Sequence, residues 1–227
     1  MCGRYTLRSR GSEKFYGVPA SQLPFLAPRY NIAPTQAVPV IVARGGERRL
    51  AAFQWGLIPS WSKEPKGFIN ARAETLADKP SFSESFQRRR CLIPADGFYE
   101  WQRQGRSKQP YFFQMKDEAP FAFAGIWDRW QGRGLSITSC AIITTTPNEL
   151  LATIHDRMPV ILDADGQEKW LRSDARTAEL TGVLVPFPES RMKSFPVSSR
   201  VNGAAADDAE LVEEVELRQE PTTGLLF

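Results

Sequence analysis

Met1-Cys2-Gly3-Arg4-Tyr5-Thr6-Leu7 opens the chain, and its pattern decides how the rest is read. Gly3 to Leu7 alternates between polar and apolar positions, which predicts a strand beginning almost at the terminus. Such a strand ties Cys2 into a sheet instead of leaving it on a frayed end. Cys2 directly follows the initiator methionine, and aminopeptidases remove Met1 ahead of a residue this small. The mature residue would carry a free α-amine beside its thiol. A 1,2-aminothiol of this kind condenses with an aldehyde to an imine, and the thiol then closes a five-membered thiazolidine. Both nucleophiles are usable near neutrality, with ordinary pKa values of about 8 and about 8.5. Taken alone, Cys2 is more readily an incidental residue on a frayed end. The remaining stretches reverse that balance.

With 227 residues, 42% of them hydrophobic, the chain supports one sizeable core. The 17 prolines and 11% aromatics suit β structure rich in turns. No run approaches the roughly 18 apolar residues of a membrane span, and the start has no apolar signal core, so a cytosolic protein is expected. Three widely spaced cysteines, Cys2, Cys91 and Cys140, argue against a disulfide framework. With no Cys-x-x-Cys pair and one histidine, they argue against zinc as well. The net charge of +3 conceals an asymmetry: residues 207–220 carry −6, leaving +9 on the rest. A basic body invites a polyanion, though surplus surface arginine is an equal alternative.

Val38–Ala43 and Arg49–Trp55 read as strands joined by a turn at Arg44-Gly45-Gly46-Glu47, a hairpin. Ser12–Tyr16 is a possible short helix, and Pro24–Pro39 reads as loop. In Phe68–Thr75, an extended chain puts Asn70, Arg72 and Glu74 on one face, as a solvated stripe or one wall of a site. Ser81–Arg90 looks helical and ends in Arg88-Arg89-Arg90, a candidate phosphate-contacting cluster. In Cys91-Leu-Ile-Pro-Ala-Asp-Gly-Phe-Tyr-Glu-Trp101, Asp96-Gly97 marks a turn and Phe98–Trp101 a strand. Glu100 stands between two aromatics; poor solvation there favours a neutral carboxyl and makes it a candidate acid/base. Pro110–Met115, Phe121–Trp127 and Leu135–Thr145 are further strands. Thr144–Glu149 caps a short helix leading to His155, the single histidine. Asp165–Leu180 reads as one or two helices and Phe195–Asn202 as loop.

Met1-Cys-Gly-Arg4, Arg29-Tyr-Asn-Ile-Ala-Pro34, Trp55-Gly56, Asn70-Ala-Arg-Ala-Glu-Thr75, Cys91 through Trp101, His155-Asp-Arg157 and Pro196-Val-Ser198 form an ordered set. It resembles the SOS response-associated peptidase (SRAP) family, whose proteins crosslink to abasic sites in DNA. The resemblance spans residues 1 to about 202. It implies an α+β single domain, 1–206, with a curved, barrel-like mixed sheet, peripheral helices and a basic groove for single-stranded DNA. It implies that Asn70, Glu100 and His155 surround Cys2 as the catalytic set. Arg4, Arg72 and Arg157 match positions that hold phosphates or the lesion, and Thr144 one at the lesion. Trp61 and Phe86 are further DNA-binding matches. No metal or organic cofactor is implied.

The expected reaction is a thiazolidine crosslink from mature Cys2 to the ring-opened aldehyde of an abasic site, with lyase activity as a possible companion. The rivals are a cysteine peptidase using Cys2 and His155, and a DNA-binding module without covalent chemistry. A monomer associated with the nucleoid and the replication fork is expected. The acidic tail, 207–227, reads as a separate mobile arm. Its apolar tip, Leu225-Leu226-Phe227, either folds back or docks, Gly224–Phe227 weakly resembling a peptide that binds the replication sliding clamp.

Overall fold

The computed structural model describes residues 2–8, 16–19, 21, 28–105 and 107–217. The expected Ser12–Tyr16 helix lies outside these apart from Tyr16, as do the tip of the tail and Leu225–Phe227.

Five strands close on one another. β3 (Ala37–Arg44) and β4 (Glu47–Trp55) form the expected hairpin, paired antiparallel along its full length. Gly45 and Gly46 at its tip have φ of +62° and +82°, the conformation that a twisted two-residue hairpin turn demands and glycine supplies. β5 is the short Asn70–Arg72. β3 also pairs with β6 (Arg90–Ala95), β6 with β9 (Phe121–Gly132), and β9 with β10 (Leu135–Thr145), each antiparallel. β10 returns parallel to β4 and closes the ring. The expected barrel-like mixed sheet is therefore a closed five-stranded barrel, and β5 lies parallel to β10 beside it. Its core is apolar and aromatic, with Trp55, Ile93, Phe123 and Ile142 fully buried.

A second sheet runs β13–β8–β7–β1–β2, from β1 (Arg4–Leu7), β2 (Arg29–Ile32), β7 (Gly97–Gln104), β8 (Ser107–Met115) and β13 (Met192–Pro196). The chain passes from barrel to second sheet at Asp96-Gly97. A Cβ on Gly97 would meet the Phe112 ring at 2.1 Å, so only glycine lets the strand cross there. Buried Asp96 accepts hydrogen bonds from Thr6 Oγ1 at 2.6 Å and Arg8 Nε at 3.0 Å. These bonds fasten the N-terminal strand to the crossing point. The short helices are peripheral: α1 (Ser83–Arg88), α2 (Glu149–Ala152), α3 (Ala164–Leu171) and α4 (Thr177–Gly182). Two-residue strands β11 (Met158–Pro159) and β12 (Ile161–Leu162) add to β10 and β9. Among the described residues no helix is long and apolar enough to cross a membrane.

Several expectations are corrected. Arg29–Ile32 is a strand, not loop, because β1 offers it a ladder. Phe195–Asn202 is the end of β13 and a 3-10 turn, Ser199–Asn202. The extended stretch stops at Arg72, and Glu74 lies in a 3-10 turn, Ala73–Thr75, so it does not continue the Asn70–Arg72 stripe. Of the triple-arginine cluster only Arg88 is exposed. Arg90 is buried and donates to the carbonyls of Phe86, Gln87, Trp170 and Arg172, joining α1 to α3. Arg89 pairs with Glu84 and Asp128.

The acidic stretch is not a free arm over residues 207–217. Asp207 accepts from the main-chain N–H groups of Tyr30 and Asn31 at 2.5 and 2.9 Å and pairs with Arg29. Arg200 holds Asp208 and Glu210. Leu211 is buried in a small cluster with Tyr99, Phe112, Val197 and Val201.

Candidate functional site

β1 pairs with β7 in the register Arg4↔Tyr99, Tyr5↔Phe98. Cys2 is fully buried. Its carbonyl accepts a hydrogen bond from Asn70 Nδ2 at 2.9 Å, and its Sγ lies 3.9 Å from the Arg4 carbonyl. Burial pushes the thiol pKa well up, and the Glu100 carboxylate adds to the rise. A thiol so placed is not a resting thiolate.

Glu100 is buried on the inner part of β7. Burial pushes its carboxyl from 4.5 up to about 7, so near neutrality it can hold or release a proton. His155 arrives from another direction. Asn148 caps α2 by accepting from the Leu151 N–H, and the His155 N–H closes on the Leu151 carbonyl. That turn presents Nε2 3.9 Å from Glu100 Oε2. Burial chiefly lowers the His155 pKa, so the ring is neutral near pH 7. The ring's other nitrogen, Nδ1, faces the Arg157 N–H at 3.0 Å and an Asp156 carboxylate oxygen at 2.9 Å.

Glu100 and His155 border an open cleft of about 860 Å³, whose lining also includes Arg4, Trp101, Lys108 and Asn202. Arg4 donates to the carbonyls of Gly3 and Asn202. The Trp101 Nε1–H donates to Asn202 Oδ1 at 2.7 Å. The structure thus brings Cys2, Asn70, Glu100 and His155 to one place from four separate stretches of chain.

The expected DNA-contacting residues divide. Arg72 is exposed at the end of β5, and Trp61 is 63% exposed on the loop after β4. Thr144 is buried at the end of β10. Arg157 is mostly covered: Glu74 holds its guanidinium at two points, 2.6 and 2.8 Å, and the Thr144 carbonyl accepts from it at 2.7 Å. Phe86 is 0% exposed, packed with its ring centroid 6.0 Å from that of Trp170. It cannot stack on a base without opening the core, so the sequence-based placement of Phe86 at the DNA is corrected. Trp101 and Asn202 are not among the expected site residues, whereas Glu74 is, as part of the Asn70, Arg72 and Glu74 face. Trp101 had a visible signal, its adjacency to Glu100. Asn202 had none, because Phe195–Asn202 reads as loop. Among the described residues no group of three or more His, Cys, Asp or Glu side chains is gathered as a metal site.

The family model described as SOS response associated peptidase (SRAP) matches residues 1–204. The chain belongs to this family. It is 41% identical over 222 residues to the abasic site processing protein YoaM of Bacillus subtilis, covering 94% of this chain and 98% of that one. It is 42% identical over 224 residues to the abasic site processing protein YoqW of the same bacterium, with 94% and 99% covered. A crystal structure of a protein from Bacteroides thetaiotaomicron superposes with a TM-score of 0.81 at 30% identity, covering 95% of this chain and all of that one. The barrel, the crossing at Asp96-Gly97 and the residues around Cys2 thus lie within the matched residues, 1–204.

Proposed function

We propose that this SRAP-family protein recognises abasic sites in single-stranded DNA and captures them covalently through Cys2 after Met1 is removed. Relatives named for abasic site processing support the DNA-lesion reading. The observation that carries the chemistry is the Asn70 bond to the Cys2 carbonyl. It fixes the main chain of Cys2, and so its nitrogen, beside a carboxyl that titrates near neutrality and a neutral imidazole.

Loss of Met1 turns the Cys2 amide nitrogen into an amine. The amine adds to C1′ of the ring-opened sugar and gives up both its protons. Glu100 carries one to the former carbonyl oxygen. The other reaches the same oxygen by way of His155, which gives up its Nε2 proton as it is reprotonated, so the oxygen leaves as water and both side chains return to their starting states. The thiol S–H then adds across the imine: a C–S bond forms, and the proton reaches nitrogen through Glu100. The ring closes as a thiazolidine, and the whole condensation expels one water. Arg4 and Arg72 hold flanking phosphates, so binding of undamaged strands weakens with salt. Trp61 offers a face on which a base stacks.

The raised thiol pKa favours this reading over a cysteine peptidase. A peptidase needs a thiolate before its substrate bond is attacked, whereas here the amine attacks first and the thiol meets an activated imine. The test is incubation of the mature protein with abasic single-stranded DNA, followed by a denaturing gel and intact-mass measurement. A shifted band with the mass of protein plus DNA less one water is expected. An alanine inserted between Met1 and Cys2 separates thiol from free amine and should abolish the stable product. A stable adduct from that variant at the wild-type rate would refute the thiazolidine route.

A further inference from the structure

His155 needs its proton on Nε2 if it is to serve a leaving oxygen in the cleft. A neutral imidazole carries one proton, and the tautomer follows from what the other nitrogen bonds. Two groups contest Nδ1. The Arg157 main-chain N–H donates to it at 3.0 Å, which requires a bare Nδ1 and places the proton on Nε2. The Asp156 carboxylate, 2.9 Å away, would accept from a protonated Nδ1 and leave Nε2 bare. Asp156 has a side chain 88% exposed, so water screens it and its hold is weak.

The Arg157 N–H, by contrast, is anchored. Its guanidinium lies 13% exposed between three elements and is gripped by both oxygens of Glu74, at 2.6 and 2.8 Å. A third bond, 2.7 Å long, runs to the carbonyl of Thr144 at the end of β10. Thr144 is paired in register with Arg72 of β5, and Glu74 sits one turn beyond that strand. The same short segment therefore carries Asn70, which holds Cys2, and Glu74, which holds Arg157.

We propose that Glu74 is a positioning residue: its two-point grip on Arg157 fixes the His155 ring with the proton on Nε2, the nitrogen facing Glu100. The effect on crosslinking rests on the abasic-site reading above, but the tautomer does not. Because His155 is the only histidine in the chain, a long-range ¹H–¹⁵N spectrum of the labelled full-length protein at pH 7.5 shows a single imidazole. The wild type should give the Nε2–H pattern. Glu74→Gln loses the charged grip and should move the pattern toward Nδ1–H. It should also slow crosslinking by roughly tenfold, a part of the factor on the order of 10²–10⁴ that a general acid contributes.

Glu74→Gln combined with Asp156→Ala removes the competitor and should restore the Nε2–H pattern and much of the rate. Because the double variant lacks Glu74 too, its rescue separates a positioning role from mere loss of fold. Glu74→Asp, which keeps the charge, is the milder variant if the glutamine folds poorly, and it should shift the pattern partway. An unchanged Nε2–H pattern in both single variants, or an Nδ1–H pattern in the wild type, overturns the inference. Failure of the wild type to form any adduct would overturn the abasic-site reading alone, leaving the spectroscopic result to stand by itself.

Discussion

Glu100→Gln should stabilise the protein and cripple it at once, and the pH dependence of the gain can be worked out. The native carboxyl titrates at about 7 against an ordinary 4.5, because burial penalises its charge. Between those values the folded chain keeps a proton that the unfolded chain has already released. Stability contributed by this group is thus fully present below about pH 4.5 and is lost as the pH rises through about 7. The displacement corresponds to roughly 3 kcal/mol. Glutamine has the same shape and no charge to bury, so the variant has no such loss. Urea unfolding of both proteins at pH 4.5, 6 and 8 gives the difference, in which every other titrating group cancels. The variant should match the wild type within ~1 kcal/mol at pH 4.5 and exceed it by as much as ~3 kcal/mol at pH 8. Crosslinking should fall by on the order of 10²–10⁴. A stability difference that stays constant across the three pH values would show that Glu100 is ionised in the folded protein. The proton-shuttle role would then lose its basis.

Phe86→Ala should cost about 3–5 kcal/mol in urea unfolding, because a fully buried ring beside Trp170 is removed; a loss under ~1 kcal/mol would contradict its place in the core. Trp61→Ala should leave stability within ~0.5 kcal/mol but weaken single-strand binding by about 1–3 kcal/mol, read by fluorescence anisotropy; equal affinity would remove Trp61 from the DNA surface. Asp207→Ala strips the acceptor from the Tyr30 and Asn31 N–H groups and the partner from Arg29. It should destabilise by ~1–3 kcal/mol and speed hydrogen exchange at residues 209–212, and wild-type exchange there would mean that Leu211 alone holds the segment.

Much of the fold is legible because local chemistry and tertiary structure agree. The Gly45-Gly46 tip between two largely apolar runs, 38–43 and 49–55, specifies its hairpin locally. The alternation of Gly3–Leu7 specifies a strand at the terminus, and that strand is what brings Cys2 to the site. Closure of the barrel was not legible in detail. It depends on β10 lying parallel to β4, some eighty residues away, and no local pattern encodes that pairing. The Glu100 environment was legible for a specific reason. A carboxylate between Tyr99 and Trp101 on a strand is either on the wet face or buried, and burial carries a consequence, the raised pKa, that can be named in advance.

Charged residues mislead in one particular way: in a sequence, charge suggests exposure. Arg90 follows two other arginines and invites a phosphate surface, yet four carbonyls from two helices surround its guanidinium. The planar fork of arginine can satisfy several helix-end carbonyls at once, so it is the cation most readily buried as a structural joint. Arg157 repeats the point inside the site, held by Glu74 and a strand-end carbonyl. The acidic stretch makes the complementary error. Its carboxylates repel one another, and repulsion alone predicts an extended arm. Burial by itself would raise the Asp207 pKa, but two main-chain N–H groups and Arg29 outweigh it and hold the carboxyl below its ordinary range. Fixed donors therefore decide where a charged segment goes, and a count of charges does not reveal fixed donors. The same rule governs the candidate site. His155 lies between a fixed main-chain donor and a screened carboxylate, and the donor sets its proton only while Arg157 is held. The charged residues that matter here act chiefly through what they hold in place.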